Sequence, residues 1–163
     1  MAFELHTFLF ADLVNFTRFT ARHGDERAAE LAVRFHERVG TLAAGLGCQL
    51  VKTIGDGVMV RASNSDAAVQ LARRVLDLNA EDGDMRARVG LDTGPAVQRR
   101  GDWFGTTVNT AARVTATANA GELLMTERTQ LAAEGLLGGQ LRERGRRRLK
   151  GLPEHTLFGE ALA

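Results

Sequence analysis

Two carboxylates stand where the chain turns. Asp12 follows the apolar run Phe8-Leu9-Phe10-Ala11, and Asp56 lies inside Lys52-Thr53-Ile54-Gly55-Asp56-Gly57. A carboxylate at the end of a buried strand is costly unless a cation meets it. Two such strand ends side by side could hold a pair of divalent ions roughly 3.5–4 Å apart, an arrangement that serves phosphoryl chemistry. Each aspartate taken singly has a plainer reading, Asp12 capping the turn after the first strand and Asp56 filling a hairpin tip. Convergence of the two on one cleft is what would favour the metal reading. The stretch Asp12 to Thr17 then wraps a short turn into a helix start, whose free backbone N–H groups favour phosphate.

Asn109 and Arg113 are four residues apart and share a helix face. A solvated polar face is the simple explanation, yet the surrounding residues are Ala, Val and Thr, and an Arg among small side chains can grip an anion with two parallel hydrogen bonds. Lys52 is the only charge in an apolar strand, which by itself can mean a side chain pointing to water. Asp102 and the run Arg144-Gly145-Arg146-Arg147-Arg148-Leu149-Lys150 complete the candidates. That run also fits an edge strand guarded against aggregation. The chain has no Walker P-loop, no dinucleotide-binding glycine fingerprint, no zinc-ligand spacing and no Ser/His/Asp set. His6, His23, His36 and His155 have no ligand spacing and read as ordinary histidines.

The elements that must carry these residues follow from periodicity. His6 to Ala11 predicts a short buried strand. Gly24-Asp25 opens a long helix in which Ala28, Leu31, Ala32, Phe35, Val39, Leu42 and Leu46 recur at spacings of three and four. Cys48 to Ile54 and Val58 to Arg61 flank Gly-Asp-Gly as a tight hairpin, with glycine supplying positive φ. Ser63 with Asp66 marks the start of a second long helix, and Met85 to Leu91 returns as a strand. A polar turn, Gln98 to Asp102, precedes a third helix capped by Thr106 or Thr107 and running to about Ala118. Gly121 to Met125 predicts a strand, Glu127 to Ala133 a short helix, and Leu141 to Leu157 a hairpin around Lys150-Gly151-Leu152-Pro153. The expected fold is α+β: a ferredoxin-like βαββαβ core with an antiparallel sheet, extended by a further helix and a C-terminal hairpin.

Composition sets the bounds. With 163 residues the chain is expected to be one domain, residues 1–163. Its 21 Lys and Arg against 20 Asp and Glu argue against a nucleic-acid or membrane-surface binder, which needs a large basic excess. The single cysteine, Cys48, cannot form an internal bridge, and no stretch has the length of a membrane span or the pattern of a signal peptide. A cytoplasmic setting is expected, either for a self-sufficient small protein or for a catalytic piece of a longer regulated one.

Over essentially its whole length the chain resembles the catalytic domain of the class III adenylyl and guanylyl cyclases, of the bacterial adenylyl type. Three motifs carry the likeness, in order and at compatible separations: Phe10-Ala11-Asp12-Leu13-Val14-Asn15-Phe16-Thr17, Lys52-Thr53-Ile54-Gly55-Asp56-Gly57, and Gly105-Thr106-Thr107-Val108-Asn109-Thr110-Ala111-Ala112-Arg113. The resemblance implies that Asp12 and Asp56 bind two ions, Mg²⁺ or Mn²⁺, with the Leu13 carbonyl near the second. It implies backbone N–H groups around Phe16 and Thr17 on the phosphates, and Lys150 on the terminal phosphates. Lys52 and Asp102 correspond to the pair that reads adenine, where guanylyl enzymes usually place Glu and Cys. Asn109 would orient the ribose, and Arg113 would stabilise charge on the α-phosphate.

The implied reaction turns ATP into 3′,5′-cyclic AMP and pyrophosphate, in a head-to-tail homodimer. Asp12 and Asp56 would come from one copy and Lys52, Asp102, Asn109 and Arg113 from the other. A guanylyl cyclase and a catalytically silent nucleotide-binding regulatory dimer are the alternatives. Two departures stand out. Asn15 replaces a common glycine, and asparagine is the ordinary residue best able to take the left-handed conformation. The segment between Leu91 and Gly105 is short where relatives often carry a longer dimerisation arm, which predicts a weak dimer.

Overall fold

The computed structural model describes residues 4–82, 85–133 and 142–161. The chain runs β1 (His6–Leu13), α1 (Phe16–His23), α2 (Asp25–Gly45), β2 (Gln49–Ile54), β3 (Gly57–Ala62), α3 (Ser65–Asp82) and β4 (Ala87–Gly94). It continues through β5 (Val97–Arg99), β6 (Asp102–Phe104), α4 (Thr106–Thr117), β7 (Glu122–Thr126), α5 (Glu127–Ala132), β8 (Arg142–Arg148) and β9 (Glu154–Ala161). Seven strands form one sheet in the order β2-β3-β1-β4-β7-β9-β8, and β5 and β6 pair separately.

The first four strands and the helices α2 and α3 make the expected βαββαβ unit. β1 lies between β3 and β4, antiparallel to both, which explains why six of its eight residues are buried. Its side chains alternate between two cores. Leu9, Ala11 and Leu13 join Phe35 and Val39 of α2 and Leu71 and Val75 of α3 on one face. Phe8 joins Met59, Trp103, Val108 and Ala111 on the other, with Phe10 packed only partly against them. That second face is covered by α4, whose Val108, Ala111, Val114 and Thr115 are buried. β4 and β7 then pair in parallel, and β9 and β8 close the sheet antiparallel, so the antiparallel expectation holds at every pairing of the main sheet except β4 with β7.

Several boundaries differ from the sequence reading, each for a local reason. β1 runs two residues past Ala11, so Asp12 and Leu13 are strand residues paired with Arg88 and Ala87, not the start of a turn. The N-terminus of α3 is capped by Asn64, not by Ser63: Asn64 Oδ1 accepts from Asp66 N (2.8 Å) and Ala67 N (3.4 Å). Neither Thr106 nor Thr107 caps α4. Gly105 holds that place at φ 138°, and Thr107 Oγ1 donates to Pro95 O (2.8 Å) instead. The stretch read as a polar turn is the β5–β6 hairpin, and β4 extends to Gly94. Leu141, the expected start of the last hairpin, lies outside the described residues. The basic run forms the outer strand β8, as the edge-strand reading required. No helix among the described residues is long and apolar enough to cross a membrane.

One close approach fixes α4 on the sheet. A Cβ placed on Gly90 of β4 would lie 2.3 Å from Thr115 N and 2.6 Å from Thr115 Cα, which are backbone atoms and cannot step aside. Gly90→Ala should therefore displace α4 and destabilise the fold by about 1–3 kcal/mol, the usual cost of overpacking. A denaturant midpoint equal to wild type would show that the helix can move freely.

Candidate active site

The first cleft is built where β1 ends beside the β2–β3 hairpin. Ile54 pairs with Gly57, leaving Gly55 and Asp56 as a two-residue turn with Gly55 at φ 56°. The tip can come this close because Gly57 has no side chain: a Cβ there would be 3.0 Å from Ala11 O and 3.3 Å from Asp12 Cβ. Asp56 Oδ2 accepts a hydrogen bond from Leu13 N at 2.8 Å, so the hairpin tip and the end of β1 are joined directly. Asn15 caps α1 in the left-handed conformation, φ 65° and ψ 26°, as expected of the residue standing in for glycine. Phe19 N closes the first helical turn on Asn15 O (3.0 Å), which leaves the N–H groups of Phe16 and Thr17 without intrahelical acceptors.

Asp12, Leu13, Phe16, Thr17 and Asp56 all line this cleft of about 660 Å³, together with Arg18 and Arg88. Arg88 is the residue the sequence reading missed. Its Nε donates to Asp12 Oδ1 (2.7 Å) and its Nη2 to Asp12 Oδ2 (3.3 Å), a two-pronged ion pair with about 30% of each side chain exposed. Its Nη1 donates to Ala116 O (3.1 Å), so the same guanidinium also holds the last turn of α4. Only the antiparallel register, in which Asp12 faces Arg88, reveals this partner.

A second cleft, about 380 Å³, is lined by Asn109, Ala112, Arg113, Lys150, Gly151 and Leu152. Asn109 and Arg113 are exposed on one face of α4, and the β8–β9 turn brings Lys150 beside them. None of these residues lines the first cleft. Lys52 and Asp102, 50 residues apart, meet as an ion pair between β2 and β6, Lys52 Nζ donating to Asp102 Oδ2 at 2.8 Å. Trp103 N donates to Asp102 Oδ1 at 2.8 Å. The hydrogen bond from Lys52, and then that from Trp103, hold the Asp102 carboxyl below its usual range. One chain thus gathers the expected residues into three groups: the carboxylates with the α1 N-terminus, the α4 face with Lys150, and the Lys52–Asp102 pair.

The donor chemistry of the first cleft fits divalent ions. Carboxylate and carbonyl oxygens are hard ligands suited to Mg²⁺ or Mn²⁺. Among the described residues no group of three His, Cys, Asp or Glu side chains forms anywhere, so substrate oxygens and water would have to complete the coordination, as is usual for Mg²⁺ at phosphate sites.

A second buried polar set lies further along β4. Asp92 is fully buried, receives hydrogen bonds from Thr126 Oγ1 and Thr93 N and pairs with Arg128, yet burial still pushes its carboxyl above the usual range. It ties β4 to β7 and α5, away from either cleft.

Residues 2–159 match the family described as the adenylate and guanylate cyclase catalytic domain. An adenylate cyclase of Streptomyces griseus is 43% identical over 110 residues, 67% of this chain and 28% of that protein. A pH-sensitive adenylate cyclase of Mycobacterium tuberculosis is 35% identical over 153 residues, 90% of this chain and 38% of that protein. The chain therefore spans about a third of the length of these relatives. Among solved structures, a guanylate cyclase domain from Catenaria anguillulae in complex with GTP superposes with a TM-score of 0.84 at 24% identity, over 98% of this chain and 97% of that one. Family model, relatives and fold together place this chain in the adenylate and guanylate cyclase catalytic domain family.

Proposed function

We propose that the chain is an adenylyl cyclase that converts ATP to 3′,5′-cyclic AMP and pyrophosphate, at sites shared between two head-to-tail copies. The observation that carries the choice of base is the Lys52–Asp102 pair, a cation and a carboxylate 2.8 Å apart. Lys52 would donate to a ring nitrogen of adenine and Asp102 would accept from its exocyclic amine. The separation of the two clefts within one chain supports the sharing. Asp12 and Asp56 would face Asn109, Arg113, Lys52 and Asp102 of the other copy across a two-fold axis. Phe10 and Val51, only partly packed on the second face of the sheet, leave apolar surface for that copy to cover.

Asp12 and Asp56 would hold two divalent ions, which when bound lower the pKa of the ribose 3′-hydroxyl and brace the triphosphate. The chain's own groups do the rest. Backbone N–H groups at Phe16 and Thr17 and the Lys150 ammonium bind phosphate oxygens, and Asn109 orients the ribose. The 3′-hydroxyl gives its proton to solvent as its oxygen attacks the α-phosphorus in line, the bond to the bridging oxygen breaks, and pyrophosphate leaves. Arg113 stabilises the charge that gathers on the α-phosphoryl oxygens, an effect worth on the order of 3–5 kcal/mol for such groups. Arg88, paired with Asp12 in the same cleft, would be available to balance negative charge there if Asp12 held a metal.

Assay of cyclic AMP from ATP with Mn²⁺, beside cyclic GMP from GTP, tests this directly. ATP turnover exceeding GTP turnover is the expected result. GTP preference would mark a guanylyl cyclase, and nucleotide binding without either product would mark a silent regulatory dimer. Lys52→Glu combined with Asp102→Cys should lower ATP turnover at least about tenfold, roughly 1.4 kcal/mol, whether or not GTP turnover appears. Unchanged ATP kinetics would remove both residues from the base pocket.

A further inference from the structure

Asp102 does not stand on the main sheet. It opens β6, one half of a two-stranded ribbon that pairs only with itself among the described residues, whereas its partner Lys52 is on β2 within the seven-stranded sheet. Something must fix the ribbon against the sheet if a carboxylate on one is to meet an ammonium on the other. The next residue does this. Neighbouring strand residues point to opposite sides, so while Asp102 faces Lys52, the Trp103 ring is buried with only 8% of its surface exposed. Its centroid is 4.5 Å from the His6 ring and 5.8 Å from Phe8, in an edge-on arrangement, both on β1.

Arg61 of β3 closes the other side, its guanidinium carbon 5.0 Å from the indole centroid. That guanidinium is itself held by His6 Nδ1, which accepts from Arg61 Nε (3.0 Å) and Nη2 (2.7 Å). An arginine only donates, so His6 must carry its proton on Nε2 and be neutral. Burial and the Arg61 charge keep the imidazole below its usual range, consistent with that form. The Trp103 indole Nε1 meets no acceptor among the described residues, so it is the aromatic ring that makes these contacts.

We infer that Trp103 is a positioning residue for nucleotide selection: its ring, clasped by His6, Phe8 and Arg61, sets the place of Asp102 relative to Lys52. The inference rests on the reading of Lys52 and Asp102 as the base-reading pair. One oxygen of Asp102 depends on the ring: Oδ2 reaches Lys52 while the ribbon lies where the indole pins it, whereas Oδ1 accepts from the backbone N–H of Trp103, which Trp103→Leu keeps.

Trp103→Leu keeps an apolar core residue but loses the aromatic clasp, and Trp103→Phe keeps a ring without the idle N–H. Trp103→Leu should cut the ratio of kcat/KM for ATP over GTP at least fivefold, chiefly by raising KM for ATP. Trp103→Phe should stay within twofold of wild type. The Asp102 carboxyl pKa, read by carbon NMR of labelled protein, should rise towards the ordinary range in the Leu variant and stay low in the Phe variant. That second readout needs no turnover.

A folded Trp103→Leu protein whose Asp102 pKa and ATP:GTP ratio both match wild type overturns the inference. So does a Phe variant as impaired as the Leu one. If the Leu variant does not fold, Arg61→Gln removes one side of the clasp, and an unchanged Asp102 pKa there counts equally against it. Failure of the underlying reading looks different: Asp102→Asn in the otherwise native protein would leave the ATP:GTP ratio unchanged while the NMR readout still decided whether Trp103 places the carboxylate.

Discussion

Asp56→Asn should remove Mn²⁺-dependent turnover, by at least about a thousandfold or roughly 4 kcal/mol of barrier, while leaving the fold in place. The carboxylate offers the charge that a divalent ion requires, and the amide does not. Asparagine keeps an oxygen able to accept the hydrogen bond that Leu13 N donates to Asp56 Oδ2 at 2.8 Å. Alanine does not keep it, so Asp56→Ala should be equally inactive and also less stable by about 1 kcal/mol, the cost of leaving that N–H unpaired. Circular dichroism and a urea midpoint separate loss of fold from loss of chemistry. Wild-type turnover by either variant would rule out a metal at the hairpin tip.

Mixing two dead proteins should restore activity. In the proposed dimer, Asp56→Ala would disable the metal half of each shared site and Arg113→Ala the opposite half, so each homodimer would have two broken sites. A mixed dimer has one site carrying both lesions and one carrying neither. If subunits exchange freely, half the dimers are mixed and half of their sites are intact, which gives about a quarter of wild-type activity. Specific activity should also climb with protein concentration through the dimer dissociation range. Inactivity despite demonstrated exchange, or full specific activity in a sedimenting monomer, would mean that one chain holds a complete site.

The βαββαβ unit was legible because its helices have strict apolar stripes and its hairpin has a Gly-Asp-Gly turn. Asp12 and Asp56 were legible as strand-end carboxylates, and Asn15 as a left-handed residue, because local backbone chemistry decides those positions. Arg88 was not. The alternation Arg86-Ala87-Arg88 reads as a strand with a wet face, and only the register of β1 on β4 shows that one of those arginines meets Asp12. The β5–β6 ribbon was missed for a related reason. Three-residue strands have too few positions to show a period, and the burial of Trp103 depends on β1 and β3, which are distant in sequence. The caps at Asn64 and Gly105 were misplaced because several capping residues stand in a row: Asn64 is selected by the bonds its Oδ1 accepts, and Gly105 holds the α4 cap at φ 138°.

Arg88 has a consequence beyond charge balance. Its guanidinium is shared between the carboxylate of Asp12 and the last turn of α4 at Ala116 O. A divalent ion at Asp12 would compete with the first attachment, and a shift of α4 would alter the second, so the two events would draw on one free-energy difference. Thermodynamic reciprocity would then require that whatever moves α4, including the other copy in the proposed dimer, changes metal affinity by the same factor that metal changes that contact. For the proposed dimer, ion occupancy and assembly would then be variables of one equilibrium, with a single arginine as the exchange point.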